Sequence, residues 1–368
     1  MASRYVTALR GYLDRRTPGY LIFFVTPYCN CRCKMCFNAE AIANAQNRRI
    51  LRLDEIETFA RNFPGLHHVN FSGGEPFLRA DFDAIPPLFY EHSGARFFTC
   101  ATNSSMPESV ERMVASICRR CPDAWLRITQ SLDGIGPLHD EIRGRLGLFE
   151  CVMEVNRRLD ALRRQLSNLS VGVSMVLSKF NQEHAREIVE YAFDKMAFSD
   201  FGVLYVRGET QDPAAHDVQP GTYTDVQQLV THKISAAGAP RSFSGRLFRA
   251  INRTATQMLE QAVETGAYLT PCLAGRRMVV MDDEGNVEPC EMLRILLREK
   301  KGRLNDASFG NIRDYKYDIR AMLATPHARE ILDYIVKTKC HCTFECAMAV
   351  NVLYTPRLWG RVAKNLLS

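Results

Sequence analysis

No apolar run in the sequence approaches the roughly 18 residues of a membrane-spanning helix. The basic N-terminus, MASRYVTALRGYLDRRTPGY, lacks the apolar centre of a secretory signal. Neither a membrane span nor export is expected. Low-complexity tracts are missing, as is any repeat larger than one strand and one helix, which excludes solenoids and collagen-like chains. Charge of one sign never gathers into a tail: 47 Lys+Arg against 41 Asp+Glu leave +6 spread along the chain. Composition therefore gives no support to nucleic-acid binding. With 46% hydrophobic and 24% charged residues over 368 positions, what remains is an ordinary globule of one large domain or two unequal ones.

Cysteine is what the chain has in excess. Thirteen is an odd number, and without a secretory signal a disulfide framework has no basis, so the thiols point to a reducing cytoplasm and to metal. Their positions sharpen this. Cys29, Cys31, Cys33 and Cys36 fall together, Cys272 and Cys290 flank a glycine-containing segment, and Cys340, Cys342 and Cys346 crowd the C-terminal region. Cys100, Cys118, Cys121 and Cys151 sit in apolar or mixed surroundings and read as small core hydrophobes.

From residue 20 to about 207, short β-branched or aromatic runs alternate with amphipathic stretches, the pattern of βα units on a parallel sheet. Strands are expected at 21–29, 67–75, 96–103, 125–134, 170–178 and 200–208. LDEIETFARNF, PESVERMVASICRR, LFECVMEVNRRLDALRRQL and NQEHAREIVEYAFDKM carry apolar residues at helical spacing. Six units cannot close an eight-stranded barrel, so the expected fold class is α/β, a partial (β/α)6 TIM-like barrel with a small C-terminal α+β unit. The expected division is a basic helix or arm over 1–20, the barrel over 21–208, a linker with two helices over 209–270, and the second unit over 271–368. In that unit MVVMDDEGNVEPCEM reads as a β-hairpin turning at Asp283-Glu284-Gly285-Asn286, with helices near 314–324 and 327–338. In parallel α/β folds the loops after the strands form the working face, and there the unusual residues fall.

Cys29, Cys33 and Cys36 have the spacing C-x3-C-x2-C on the loop leaving the first strand, and three thiolates there can hold three irons of a [4Fe-4S] cluster. Alone, the triad could belong to a zinc knuckle. Together with Gly73-Gly74-Glu75-Pro76 after strand two, it resembles the radical S-adenosylmethionine (radical SAM) superfamily. That resemblance implies that the fourth iron is chelated by SAM, which is cleaved by one electron to a 5′-deoxyadenosyl radical. It also implies that GGEP binds the SAM amine, that Ser131 and Arg143 meet the SAM carboxylate and ribose, and that Asn103 contacts the ribose side. The residue before the third cysteine is usually aromatic in the family and lies against adenine; here it is Met35, with Phe37 beyond Cys36. Cys31 is a spare within the motif.

Cys272, Cys290 and the KCHCTFECA segment resemble the SPASM and shorter twitch extensions of that superfamily, in which a hairpin and a helix carry auxiliary clusters. Five cysteines are too few for two such clusters, so one auxiliary [4Fe-4S] cluster is expected, with two of Cys340, Cys342 and Cys346 as ligands; four thiolates would also suit structural zinc. The resemblance implies a cytoplasmic radical SAM oxidoreductase that abstracts a substrate hydrogen, with the auxiliary cluster accepting an electron, and a reductant such as flavodoxin or ferredoxin. Only about twenty residues precede the first strand, too few for a folded leader-peptide-binding domain. This favours a small molecule of natural-product or cofactor biosynthesis over a ribosomally made peptide. A non-catalytic redox sensor is the reading from another class, and it has no use for GGEP, Ser131 or Arg143.

Overall fold

The computed structural model describes residues 12–14, 17–236, 243–300, 304 and 306–367, so most of the expected N-terminal arm lies outside the described residues. Six parallel strands form the frame: β1 (Tyr20–Thr26), β2 (His68–Gly73), β3 (Phe97–Thr102), β4 (Trp125–Ser131), β5 (Leu169–Leu177) and β6 (Asp200–Tyr205). The longer helices between them are α1 (Leu53–Arg61), α2 (Pro107–Arg120), α3 (Pro137–Arg143), α4 (Leu148–Arg163) and α5 (Ala185–Lys195). The alternation read from the sequence is thus the observed one. The first, fourth and last strands end three residues earlier than expected, at Thr26, Ser131 and Tyr205. Pro27 follows Thr26, and a residue without an N–H cannot continue the ladder.

The sheet is not limited to those strands. Its order is β6-β5-β4-β3-β2-β1-β7-β8-β9, where β7 (Met278–Met281) runs parallel to β1, and β8 (Asn286–Glu288) and β9 (Gly310–Asn311) follow antiparallel. The expected hairpin is present, but it extends the barrel sheet from the free edge of β1. The turn is fixed by Asp282, which accepts from the Glu284 and Asn286 amides. Arg48 clamps it, donating from Nε to Asp283 at 2.7 Å.

Alternate residues of β2, β3 and β4 are buried: Val69 and Phe71, Phe98 and Cys100, Leu126 and Ile128 pack with Phe59 of α1 and Val110 and Ile117 of α2 in one apolar core. Met278, Val279, Val280 and Met281 of β7 belong to the same core. The other face of the strands is polar. His68 Nε2 lies 3.1 Å from Thr99 Oγ1, which donates to Asn70 Oδ1 at 2.9 Å. Arg127 pairs with Asp200 across β5. Beyond β6 come α6 (Thr222–Ala236), α7 (Phe243–Thr265), α8 (Leu293–Lys300), α9 (Pro326–Lys337), α10 (Glu345–Tyr354) and α11 (Trp359–Leu367). Met258 and Leu259 of α7 pack with Met348 and Val352 of α10 and Val362 of α11. The expected helix at 314–324 is a short turn at Ile312–Tyr315 and a five-residue helix at Ile319–Leu323.

Candidate active site

The cysteine loop lies at the C-terminal edge of β1 and is held by its neighbours. Arg32 N donates to Arg143 O and Lys34 N to Ile142 O, both at 3.0 Å, while Gln211 N and Asp212 N donate to Cys36 O and Lys34 O. Cys31, buried at 2% exposure, sits between Cys29 and Cys33. Its thiol donates toward both, bringing Cys29 down to about 6 and lowering Cys33, while Cys31 itself is raised. Arg143 Nη1 stands 3.8 Å from Cys33 Sγ, and Asn103 Nδ2 stands 3.2 Å from Cys31 Sγ and 3.8 Å from Cys29 Sγ. Burial pushes Cys36 up to about 11. Two thiols that favour the thiolate, a third on the same loop and N–H donors facing sulfur form a donor set that fits an iron-sulfur cluster. Cys31 fits as a thiol that donates to its neighbours. Among the described residues no three His, Cys, Asp or Glu side chains converge as around a single ion, whereas a cubane attaches each thiolate to a different iron.

Gly73 ends β2 and Gly74 follows it. A Cβ on Gly74 would lie 2.1 Å from Tyr28 O, so a side chain there would force the cysteine loop away. Gly74 N and Glu75 N donate to Thr26 O and Tyr28 O, both at 2.8 Å. The Glu75 side chain, expected to serve the SAM amine, is 1% exposed and points into the protein: it accepts from Thr102 Oγ1 at 2.8 Å, Asn103 N at 2.7 Å and Phe77 N at 3.3 Å. It ties the loops after β2 and β3 together, and burial raises it to about 7. Pro76 opens a one-turn helix and is buried. Asn103 joins the same bracket, donating to Asn30 Oδ1 at 3.0 Å and accepting from Ser105 N.

Ser131 closes β4, half-buried on the polar face. Arg143 closes α3, where Nε donates to the fully buried Asp133 carboxylate at 2.5 Å. Asp133 also accepts from Val176 N at 2.7 Å, so one carboxylate aims the guanidinium and joins β4 to β5. His139 Nδ1 accepts from Asp133 N, and Asp140 caps the start of α4 through Gly147 N and Phe149 N, so both act in the scaffold. Met35, 5% exposed, packs with Ile142, Val206 and Ala215. Phe37 lies against Phe24 and beneath Arg207, 5.4 Å from the guanidinium carbon.

The second cysteine group divides. Cys272, Cys340 and Cys342 line one small recess, and Cys290 is buried within their electrostatic reach. The Cys340 thiol donates to Cys272, bringing it down to about 7, while burial lifts Cys342 to about 11. Cys346 lies elsewhere. Its polar neighbours are Glu291, Arg207, Glu345 and the Tyr20 hydroxyl, and burial holds it at about 12. The four-thiol set fits a second cluster, and Cys346 stands outside it.

Arg207, two residues beyond β6, is held by partners that nothing in the sequence indicates. Nη1 donates to Glu345 at 2.7 Å and Nη2 to Glu291 at 3.3 Å, partners 138 and 84 residues away. The guanidinium also lies 4.7 Å from the Phe344 ring centroid. Phe37 adjoins Cys36 and Phe344 follows Cys342, so this one arginine spans the two cysteine groups.

Comparison with known proteins agrees with this arrangement. The Radical SAM superfamily model matches residues 23–192. GTP 3′,8-cyclase of Sulfurovum sp. is 25% identical over 185 residues, 49% of this chain and 53% of the relative. GTP 3′,8-cyclase 3 of Mycobacterium tuberculosis is 27% identical over 183 residues, 48% and 46%. The chain thus spans about half the length of the curated relatives it matches. Among solved structures, anSMEcpe with bound AdoMet and Cp18Cys peptide superposes with a TM-score of 0.59 at 16% identity, covering 95% of this chain and 97% of that one. Streptococcus suis SuiB bound to S-adenosylmethionine gives 0.53 at 18%, covering 81% and 64%. These likenesses show the partial-barrel fold, and the span matched by the Radical SAM superfamily model contains the cysteine loop and the Gly73-Gly74-Glu75-Pro76 segment.

Proposed function

We propose that the chain is a radical SAM enzyme that holds one [4Fe-4S] cluster on Cys29, Cys33 and Cys36 and an auxiliary one on Cys272, Cys290, Cys340 and Cys342, and that it oxidises a small polar molecule in a biosynthetic reaction. With its cluster and SAM bound, the first site supplies a 5′-deoxyadenosyl radical for hydrogen abstraction; the auxiliary site supplies an acceptor for the second electron. The chain's residues do the rest. Asp133 aims Arg143 at Cys33 and at the side where the SAM carboxylate would bind, Ser131 offers a hydroxyl on the same face, and Glu75 fixes the loops that frame it. The reading rests on one observation: the thiols form two separate sets, three on the loop after β1 and a second of three lining a recess with Cys290 buried beside them, joined by Arg207. In this reading the domain expectation becomes a barrel over 21–208, helices over 209–270 and an auxiliary unit over 271–368 that shares the barrel's sheet.

A small polar substrate suits the inner face, where Asn70, Thr99, Thr129, Ser131 and Ser174 present short polar side chains. The second reading is a peptide maturase, favoured by the match to anSMEcpe along nearly the whole length of both chains, that protein being seen with a bound peptide. Metal analysis tests the two-cluster core. After anaerobic reconstitution the protein should carry about eight irons, and a Cys29→Ala/Cys33→Ala/Cys36→Ala variant about four. About four in the parent and none in the variant would remove the auxiliary cluster, and zinc in that site would replace it.

A further inference from the structure

Cys31 is the one thiol of the cysteine loop that the triad leaves over, and it is the only buried one of the four. Its surroundings fix it closely. The chain carries it between Cys29 and Cys33, and its sulfur lies within hydrogen-bond reach of both of theirs. Asn103 Nδ2 donates to Cys31 Sγ at 3.2 Å and stands 3.8 Å from Cys29 Sγ. Arg32 Nη1 donates to Cys29 O at 3.0 Å and Cys31 O at 2.9 Å, which holds the backbone on either side of Asn30. A thiol carries one proton, and a buried one must find an acceptor inside the protein. Asn30 Oδ1 lies 3.9 Å from Cys31 Sγ, but that oxygen already accepts from Asn103 Nδ2 and from Ser105 Oγ, both at 3.0 Å. Two closer donors occupy its two lone pairs, so the acceptors left for the Cys31 proton are the sulfurs of Cys29 and Cys33. Asn103 thus donates to a sulfur that itself donates, and in a chain of this kind each bond polarises the next. A small apolar side chain would fill the same space; the donor is what cysteine adds.

We infer that the Cys31 thiol, backed by the Asn103 amide, is a positioning residue that donates to the ligand sulfurs of Cys29 and Cys33 and so raises the reduction potential of the cluster they hold. The inference rests on the cluster assignment proposed above. Reduction adds one electron, and part of its charge falls on the thiolate sulfurs, so a donor facing them stabilises the reduced state more than the oxidised one. No bond forms or breaks, and the proton stays on Cys31. Arg143 Nη1, 3.8 Å from Cys33 Sγ, brings a cation to the same loop, but its partner Asp133 is an anion that offsets it. Cys31 brings its donor without a counter-charge.

The test compares Cys31→Ala, Cys31→Val and Cys31→Ser with the parent, each reconstituted anaerobically, and needs no substrate. Iron is counted first, and all four proteins should carry about eight irons, because Cys31 is not a ligand. The potential of the first cluster is then read by redox titration followed by electron paramagnetic resonance, its signal being the one that changes shape when SAM is added. At a fixed applied potential Cys31→Ala should show a ratio of reduced to oxidised cluster about tenfold lower than the parent, a shift of about 59 mV for one electron. Cys31→Val, which fills the space without a donor, should match it, and Cys31→Ser, which keeps an O–H, should lie nearer the parent. In deuterated buffer, electron-nuclear double resonance should show a deuteron coupling in the parent and in Cys31→Ser that Cys31→Ala lacks. Equal potentials in Cys31→Val and Cys31→Ser, or a Cys31→Ala potential equal to that of the parent, overturn the donor role. Loss of about four irons in all three variants makes Cys31 a ligand and overturns it as well. A parent with iron but no signal that responds to SAM refutes the proposed function and the donor role together, whereas unshifted potentials beside a SAM-responsive parent remove the donor role alone.

Discussion

Replacing Arg207 by methionine removes the cation that joins the two cysteine groups while keeping a long apolar stem. Arg207 is 14% exposed, Glu291 9% and Glu345 17%, so the change leaves two carboxylates side by side with little solvent. Breaking a buried ion pair from one side costs about 3–5 kcal/mol, and here two partners lose their cation. Burial already raises Glu291 and Glu345 above the ordinary carboxylate value, and Arg207 opposes that rise. Without it both must rise further. A folded-state value above the unfolded one gives stability that is present at low pH and lost as pH climbs through the folded value. The destabilisation of Arg207→Met relative to the parent should therefore be small near pH 5 and grow to several kcal/mol by pH 8. Anaerobic thermal melts of the reconstituted proteins at both pH values measure it. Adding Glu345→Gln should recover much of the loss at pH 8, because one buried charge disappears. A penalty independent of pH, or a double variant no more stable than the single one, would refute the reasoning.

Other outcomes follow from the same contacts. Cys346→Ala should keep about eight irons while Cys342→Ala falls to about four, because only the second thiol belongs to the four-thiol set; iron and sulfide counts decide it. Gly74→Ala should abolish SAM cleavage and reduce iron at the first site, since its Cβ would overlap Tyr28 O at 2.1 Å and displace the cysteine loop; normal iron content would contradict this. Asp133→Asn should weaken SAM binding about tenfold or more by leaving Arg143 without its buried anchor, read by equilibrium binding; unchanged SAM affinity would remove Asp133 as the positioning group.

The six βα units were legible because β2, β3 and β4 alternate between a core face and a polar one, β1 and β5 are apolar, β-branched or aromatic runs buried along most of their length, and the longer helices carry a matching apolar stripe. The cysteine loop was legible because proximity in sequence is proximity in space for residues 29 to 36. What stayed hidden was non-local. The run MVVM reads as a strand, yet nothing in it says that it pairs parallel to β1. The C-x-C-x3-C segment could not reveal that Cys346 lies in the first turn of a helix, beside Tyr20, Glu291 and Arg207 and outside the lining of the recess. Glu75 carried the expected motif, but its inward turn depends on donors from Thr102 and Asn103 that only folding supplies. The anchoring of Arg207 by Glu291 and Glu345 left no local signal at all.

The most direct test of the central claim is product analysis after anaerobic reconstitution with dithionite and SAM. The parent should release 5′-deoxyadenosine and methionine, and the Cys29→Ala protein, prepared identically, neither. No 5′-deoxyadenosine above the Cys29→Ala level, from a parent shown to carry its iron, would contradict the account.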